Sequence, residues 1–144
     1  MPRLDPDFFH RDCLEVAPQL VGKILCHRLP DGRLLRLRIS ETEAYRGEED
    51  TACHAHKGLT PRTKVLYGPP GVLYIYLCYG MHNLLNVVTG EDGVPQGVLI
   101  RACVTAPGPG MLTKRPLRKA ISSPSSPVFI CPESSVCASK IWCI

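Results

Sequence analysis

The residue types that could do chemistry crowd into one stretch, ISETEAYRGEEDTACHAH, at positions 39–56. Five of the chain's 13 acidic residues (Glu41, Glu43, Glu48, Glu49 and Asp50) fall within ten positions of it, and Cys53, His54 and His56 follow. Three chemistries fit. Cys53, His54 and His56 are metal-ligand types, and on a strand the two histidines would share a face. A structural zinc site takes four ligands, usually as two separated pairs, and no second pair stands nearby. In ETEAY, Glu41, Glu43 and Tyr45 would share one face of an extended segment. A carboxylate at a strand end beside aromatic rings can lose water and serve as a general base. The third possibility is a solvated acidic loop.

Aromatic side chains gather around the same stretch. Tyr74, Tyr76 and Tyr79, with Tyr45, Tyr67, His54 and His82, hold half of the chain's aromatic rings, histidines included. Such rings either pack a strand into a core or offer flat faces on which nucleobases stack.

The elements that must position these residues follow from periodicity. LEVAPQLVGK, 14–23, reads as a short amphipathic helix capped by Asp12 and ended by Gly22, with Pro18 in or near its first turn. ILCHRL and RLLRLRIS flank Pro30-Asp31-Gly32, a hairpin signal. In the second run Leu35, Leu37 and Ile39 alternate with Arg36, Arg38 and Ser40, the pattern of a half-buried strand with a solvated face. Residues 46–71 read as a long loop, and long loops inside compact domains are often functional. Residues 72–79, 83–89 and 98–104 read as strands. Arg101 interrupts the last one and needs a partner, because an unpaired buried charge is costly.

A chain of 144 residues, 44% hydrophobic and 21% charged, fits one soluble globular domain. Residues 1–104 hold twelve Lys/Arg and twelve Asp/Glu, so the formal +4 comes entirely from residues 105–144. A uniformly basic surface is excluded, and any nucleic-acid footprint must be local. MPRLDPDFFHRD lacks the apolar segment of a secretory signal, and no apolar run reaches the roughly 20 residues that span a bilayer. The eight cysteines form no Cys-x-x-Cys pair, so they are expected to be reduced thiols, mostly in the core, of a cytosolic protein. Residues 105–144 are rich in Pro, Ser and Cys without sustained periodicity, and an irregular tail is expected there.

Several long motifs carry a specific resemblance. ETEAY at 41–45, His54 nine residues after Tyr45, TPR at 60–62, GPPGVLYIYLCYGMHNLLNVV at 68–88 and VLIRA at 98–102 closely resemble the alkyladenine (3-methyladenine) DNA glycosylase family. The order and spacing match across residues 4–102, and FF at 8–9 and LVGK at 20–23 also fit. The resemblance implies an α+β fold, a single mixed domain around a curved, mainly antiparallel sheet. It implies a monofunctional hydrolase of base excision repair that flips alkylated or deaminated purines out of double-stranded DNA and cleaves the N-glycosidic bond, as a monomer and without metal or cofactor. Its place would be the cytoplasm and nucleoid in a bacterium, or the nucleus in a eukaryote.

By the same resemblance Glu43 would activate water and Arg101 would hold carboxylate and water. Tyr45, His54 and Tyr76 would stack on the flipped base, and Asn86 would disfavour the amino group of guanine. Tyr79 would fill the gap left in the DNA, flanked by Met81. The family continues for longer after VLIRA. GPGMLTK, 108–114, resembles a later family motif that here follows Val104 almost directly. The expectation is therefore a partial catalytic core at 1–104 and a divergent tail at 105–144, truncated or frameshifted, with weakened excision. Two other readings stay open: a remnant that binds damaged DNA without catalysis, and a small zinc module on Cys53, His54 and His56.

Overall fold

The computed structural model describes residues 3–105 and 128–131. Two helices, α1 (Pro6–Phe9) and α2 (Cys13–Leu20), precede six strands: β1 (Ile24–Arg28), β2 (Leu34–Arg46), β3 (Leu73–Cys78), β4 (His82–Thr89), β5 (Gln96–Thr105) and β6 (Val128–Cys131). The strands form one sheet in the order β3-β4-β5-β2-β1-β6, with every neighbouring pair antiparallel. The expected α+β fold around a mainly antiparallel sheet is what the chain adopts.

Local chemistry explains the short elements. Asp12 caps α2, its carboxylate accepting from the Leu14 N–H at 2.9 Å. Pro18 lies in the second turn of α2 rather than the first. It is exposed, as is Leu14, the residue four before it whose carbonyl a helical N–H at position 18 would have reached. The helix stops at Leu20, and Gly22, with φ +88, donates its N–H to the Ile39 carbonyl at 2.8 Å, tying the helix exit to β2. The Asp31-Gly32 turn joins β1 to β2 as its sequence predicts: Gly32 has φ +84 and Asp31 accepts from the Arg33 backbone at 3.0 Å.

Each face of the sheet carries its own apolar cluster. On one face α1 and α2 bury Phe9, Cys13, Val16 and Leu20 against Leu25, Leu37, Ile39, Leu85, Val87, Val98 and Ile100. On the other face the segment between β2 and β3 folds over as three short 3-10 turns, Gly47–Glu49, His54–Lys57 and Lys64–Tyr67. There Cys53, Ala55 and Leu66 pack on Tyr74 and Val88, with Tyr45 and Tyr76 at the margin. What reads as a long loop is thus a covering layer with a core of its own.

Within the mostly irregular tail expected at 105–144, one short stretch joins the sheet. Residues 128–131 add a strand beside β1, in a register that sets Leu25 opposite Ile130, and both side chains are buried. Other expectations for 105–144, including the GPGMLTK motif, lie outside the described residues. Among the described residues Cys13, Cys26 and Cys53 are buried and Cys78 and Cys103 half-buried. Among the described residues no helix is long and apolar enough to cross a membrane.

Leu20→Ala, at a fully buried position under the sheet, is expected to cost roughly 2–5 kcal/mol in denaturant unfolding. Leu77→Ala, at a position 55% exposed, should stay within about 0.5 kcal/mol.

Candidate base-binding cleft and carboxylate site

Strand β2 changes face partway along its length. Leu37 and Ile39 pack under α2, and continued alternation would put residues 41, 43 and 45 on that same buried face. The pairing with β5 is irregular between Ile39 and Thr42. Beyond it Thr42 and Ala44 take over the helix side: the Thr42 hydroxyl donates to the Ala17 carbonyl at 2.8 Å, and Ala44 joins the cluster under the helices. Glu43 and Tyr45 are thereby carried to the opposite face. Irregular pairing of this kind recurs beside active sites because it re-aims a side chain without bending the whole sheet.

On that face Glu43 is held from two sides. Arg101 Nε lies 3.2 Å from Glu43 Oε1, and the Tyr45 hydroxyl donates to Glu43 Oε2 at 2.8 Å. Arg101 thus has the partner its apolar strand demands. The side chains of Arg101 and Glu43 remain 54% and 40% exposed. An ion pair this wet contributes only about 0–1 kcal/mol to stability, so its effect is to orient the carboxylate. Burial, then the hydrogen bond and charge of Glu43, push the Tyr45 phenol up to about 12. Tyr45 therefore stays a donor to Glu43 throughout the neutral range.

Beside this pair lies an open cleft lined by Tyr45, His54, Tyr74, Tyr76, Asn86 and Gly97, among others. Its cavity volume is small, about 40 Å³, and it opens to solvent at its mouth. The His54 and Tyr76 rings meet at 4.3 Å between centroids with a 52° tilt, and Tyr74 and Tyr76 at 5.3 Å and 35°. His54 Nδ1 is 3.1 Å from the Tyr74 hydroxyl. Burial, assisted by the charge of Arg62, lowers the pKa of His54 below its ordinary value. Asn86 is buried, its amide donating to the Tyr74 carbonyl at 3.2 Å. Gly97 faces both Tyr45 and Val88 in register; a Cβ there would sit 3.3 Å from the Val87 carbonyl and 3.5 Å from Leu66. The missing side chain helps keep the cleft floor open.

The β3–β4 hairpin carries this wall to the surface. Its tip holds Tyr79 at φ +50 followed by Gly80 at φ +67, with the Met81 N–H donating to the Cys78 carbonyl at 3.2 Å. A tyrosine in the left-handed region is an uncommon and mildly strained conformation. Tyr79 is 88% exposed and Met81 70%. Two large apolar side chains held out on a tight turn have no packing role in this chain's core.

Of the residues singled out in the sequence, Tyr45, His54, Tyr76 and Asn86 line one cleft, Glu43 and Arg101 adjoin it through the Tyr45 hydroxyl, and Tyr79 and Met81 stand at the hairpin tip. His56 goes elsewhere, its Nδ1 2.9 Å from the Glu48 carbonyl. Because 54–57 is a 3-10 turn and not a strand, His54 and His56 do not share a face. Burial raises the Cys53 thiol, and no group of three or more His, Cys, Asp or Glu side chains gathers as a metal site among the described residues. Sequence reasoning left out Gly97 and gave Tyr74 no role; strand alternation from Tyr76 was the signal for Tyr74, while Gly97 gave none.

The profile of methylpurine-DNA glycosylases matches residues 7–127. The chain belongs to the methylpurine-DNA glycosylase family. Its relatives agree. A protein of Methanocella arvoryzae called "Putative 3-methyladenine DNA glycosylase" is 50% identical over 138 residues, covering 94% of this chain and 68% of that protein. Proteins of the same name from Nitrosococcus oceani and Desulfitobacterium hafniense are 51% and 47% identical, over 78% and 83% of this chain. The chain spans only 53% and 59% of the length of those two. Of the glycosylase-family motifs, ETEAY and VLIRA supply the Glu43–Arg101 ion pair, and GPPGVLYIYLCYGMHNLLNVV supplies Tyr74, Tyr76 and Asn86 to the cleft beside Tyr45.

The Tyr45 proton gives a pH signature. Its folded pKa of about 12 lies above the ordinary 10.0, so its contribution to stability is whole below about pH 10 and is lost as pH rises towards 12. Tyr45→Phe should remove that part of the alkaline loss, read by denaturant unfolding of both proteins across this range.

Proposed function

We propose that this chain is a DNA repair hydrolase that accepts a damaged purine flipped out of double-stranded DNA and hydrolyses its N-glycosidic bond. Family membership and the names of the relatives support a glycosylase role. The observation that carries the reading is the juxtaposition of an oriented, water-accessible carboxylate with an aromatic cleft. Glu43 is fixed by Arg101 and Tyr45, and Tyr45 itself lines the cleft.

A base inside a duplex is out of reach, so the nucleotide must leave the stack. Tyr79, flanked by Met81, fills the vacated space; unstacking costs a few kcal/mol and the inserted ring offsets part of it. The flipped purine stacks between Tyr45 and the His54–Tyr76 pair, while Asn86 stands against its edge and disfavours the amino group of guanine. Alkylated purines are electron-poor and often cationic, so aromatic faces favour them over normal bases. A neutral His54 adds no competing positive charge.

Glu43 accepts a proton from a water whose oxygen bonds to the sugar C1′. The C1′–N bond breaks and its electron pair leaves with the base, and a cationic base departs neutral without a protein acid. Arg101 holds the carboxylate in place and the backbone of the DNA is left intact. The partner is DNA carrying a damaged purine, taken up by a single copy of the chain. The site of action follows the DNA: nucleoid or nucleus.

Glu43→Gln should lower single-turnover excision on hypoxanthine- or ethenoadenine-containing duplex by about 10²–10⁴-fold, the usual weight of a general base, and leave duplex binding intact. Equal excision by wild type and variant would refute the role of Glu43. Binding without excision in the wild type would make the chain a damage-binding module. Tyr79→Ala should weaken binding to the damaged duplex by roughly 1–3 kcal/mol, the weight of one lost base–aromatic contact, measured by fluorescence anisotropy.

A further inference from the structure

The hydroxyl of Tyr45 has no task in stacking a base, yet it is not left to water. It donates to Glu43 Oε2 at 2.8 Å, while Arg101 Nε stands 3.2 Å from Oε1. Each carboxylate oxygen thus meets one donor, and the two donors come from different strands. The last torsion of a glutamate has no sharp rotamer wells, so a single donor leaves the carboxylate plane free to turn. Arg101 is a long side chain in a wet pair. Tyr45 is half-buried, and a tyrosine has only two side-chain torsions to fix. The register shows how the ring reaches back. Glu43 and Tyr45 lie two residues apart on one face of β2, and strand side chains lean along the strand. The partner of Tyr45 on β5 is Gly97, so no side chain of that residue stands against the ring.

We infer that the Tyr45 hydroxyl is the positioning donor for Glu43, so that the ring walling the cleft also sets the plane of the carboxylate beside it. Arg101 holds one oxygen from β5, and Tyr45 holds the other from the cleft side. The titratable groups facing the Tyr45 side chain are Glu43 on β2, Arg101 on β5, Tyr74 and Tyr76 on β3, and Cys53 and His54 from the covering turns.

The inference deepens the proposed function and rests on it for the reaction that Glu43 performs. Its consequence is a division of labour inside one side chain. The ring face contributes to holding the base, and the hydroxyl contributes to the rate of hydrolysis. Loss of the whole ring then weakens binding, whereas loss of the hydroxyl alone slows the chemical step.

The test compares the full chain as wild type, Y45F, Y45L and a form carrying difluorotyrosine at position 45, whose phenol ionises at lower pH. Single-turnover excision and fluorescence anisotropy are measured on hypoxanthine-containing duplex. Y45F should keep its affinity for the duplex and excise roughly ten- to a hundredfold more slowly, the cost of a small misplacement at the reacting centre. Y45L should lose affinity as well. The fluorinated chain should lose excision relative to the wild type as pH rises through the midpoint of its own phenol. A carbon-13 label on the phenol carbon of Tyr45 reads the contact without substrate. The wild-type midpoint of about 12 should fall part of the way towards 10.0 in E43Q, since burial, the larger cause of the rise, remains. An unmoved midpoint in E43Q would overturn the inference, as would Y45F excising at the wild-type rate. So would a slowed Y45F beside a fluorinated chain that shows no alkaline loss, because the hydroxyl would then matter only as bulk. If the wild type excises nothing while the midpoint still falls in E43Q, the proposed function fails and the hold on Glu43 stands.

Discussion

Everything at the site depends on β2 serving two masters in sequence. Its first half must bury Leu37 and Ile39 under α2, and its second half must present Glu43 to water. Strict alternation cannot do both, since it would drive a carboxylate into an apolar layer at a cost of several kcal/mol. The irregular pairing between Ile39 and Thr42 resolves the conflict. It is held in place because both products of the switch are satisfied. Thr42 finds a carbonyl on α2, and Glu43 finds Arg101 and Tyr45.

Arg101 shows the same switch from the neighbouring strand. It sits two positions past Leu99, which pairs with Glu43 in register, and reaches that carboxylate diagonally. A charge inside an apolar run is thereby explained without burial: its strand is core-facing on one side only, and the other side opens beside the cleft. The two faces divide the labour. One, packed on helices, supplies stiffness. The other, covered only by short 3-10 turns, leaves a narrow open cleft between the turns and the strands.

Much of this was legible in advance, for physical reasons that differ by element. The Asp31-Gly32 turn was readable because a left-handed glycine between alternating runs has few other uses. Strands β3, β4 and β5 were readable from apolar runs bounded by glycines. The α+β class and the site residues were implied by long motifs with fixed spacing. The face switch was not legible, because ISETEAY carries no glycine or proline to announce it. Nor was the fold of residues 46–71: turn formers mark a loop, but the burial of Cys53, Ala55 and Leu66 under it depends on contacts distant in sequence. Strand β6 was hidden in a compositionally irregular tail because four residues are too few to show a period.

Gly97 has a further consequence. Its nearest obstacle is the carbonyl of Val87, part of the backbone of β4 and unable to swing aside as a side chain would. A single carbon at this position would press on the strand that carries Asn86, the residue next to Val87 in sequence. The width of the cleft and the placement of the Asn86 amide are therefore not independent settings. Variation that narrows the floor would also move the wall, so the shape of the cleft would shift in linked steps.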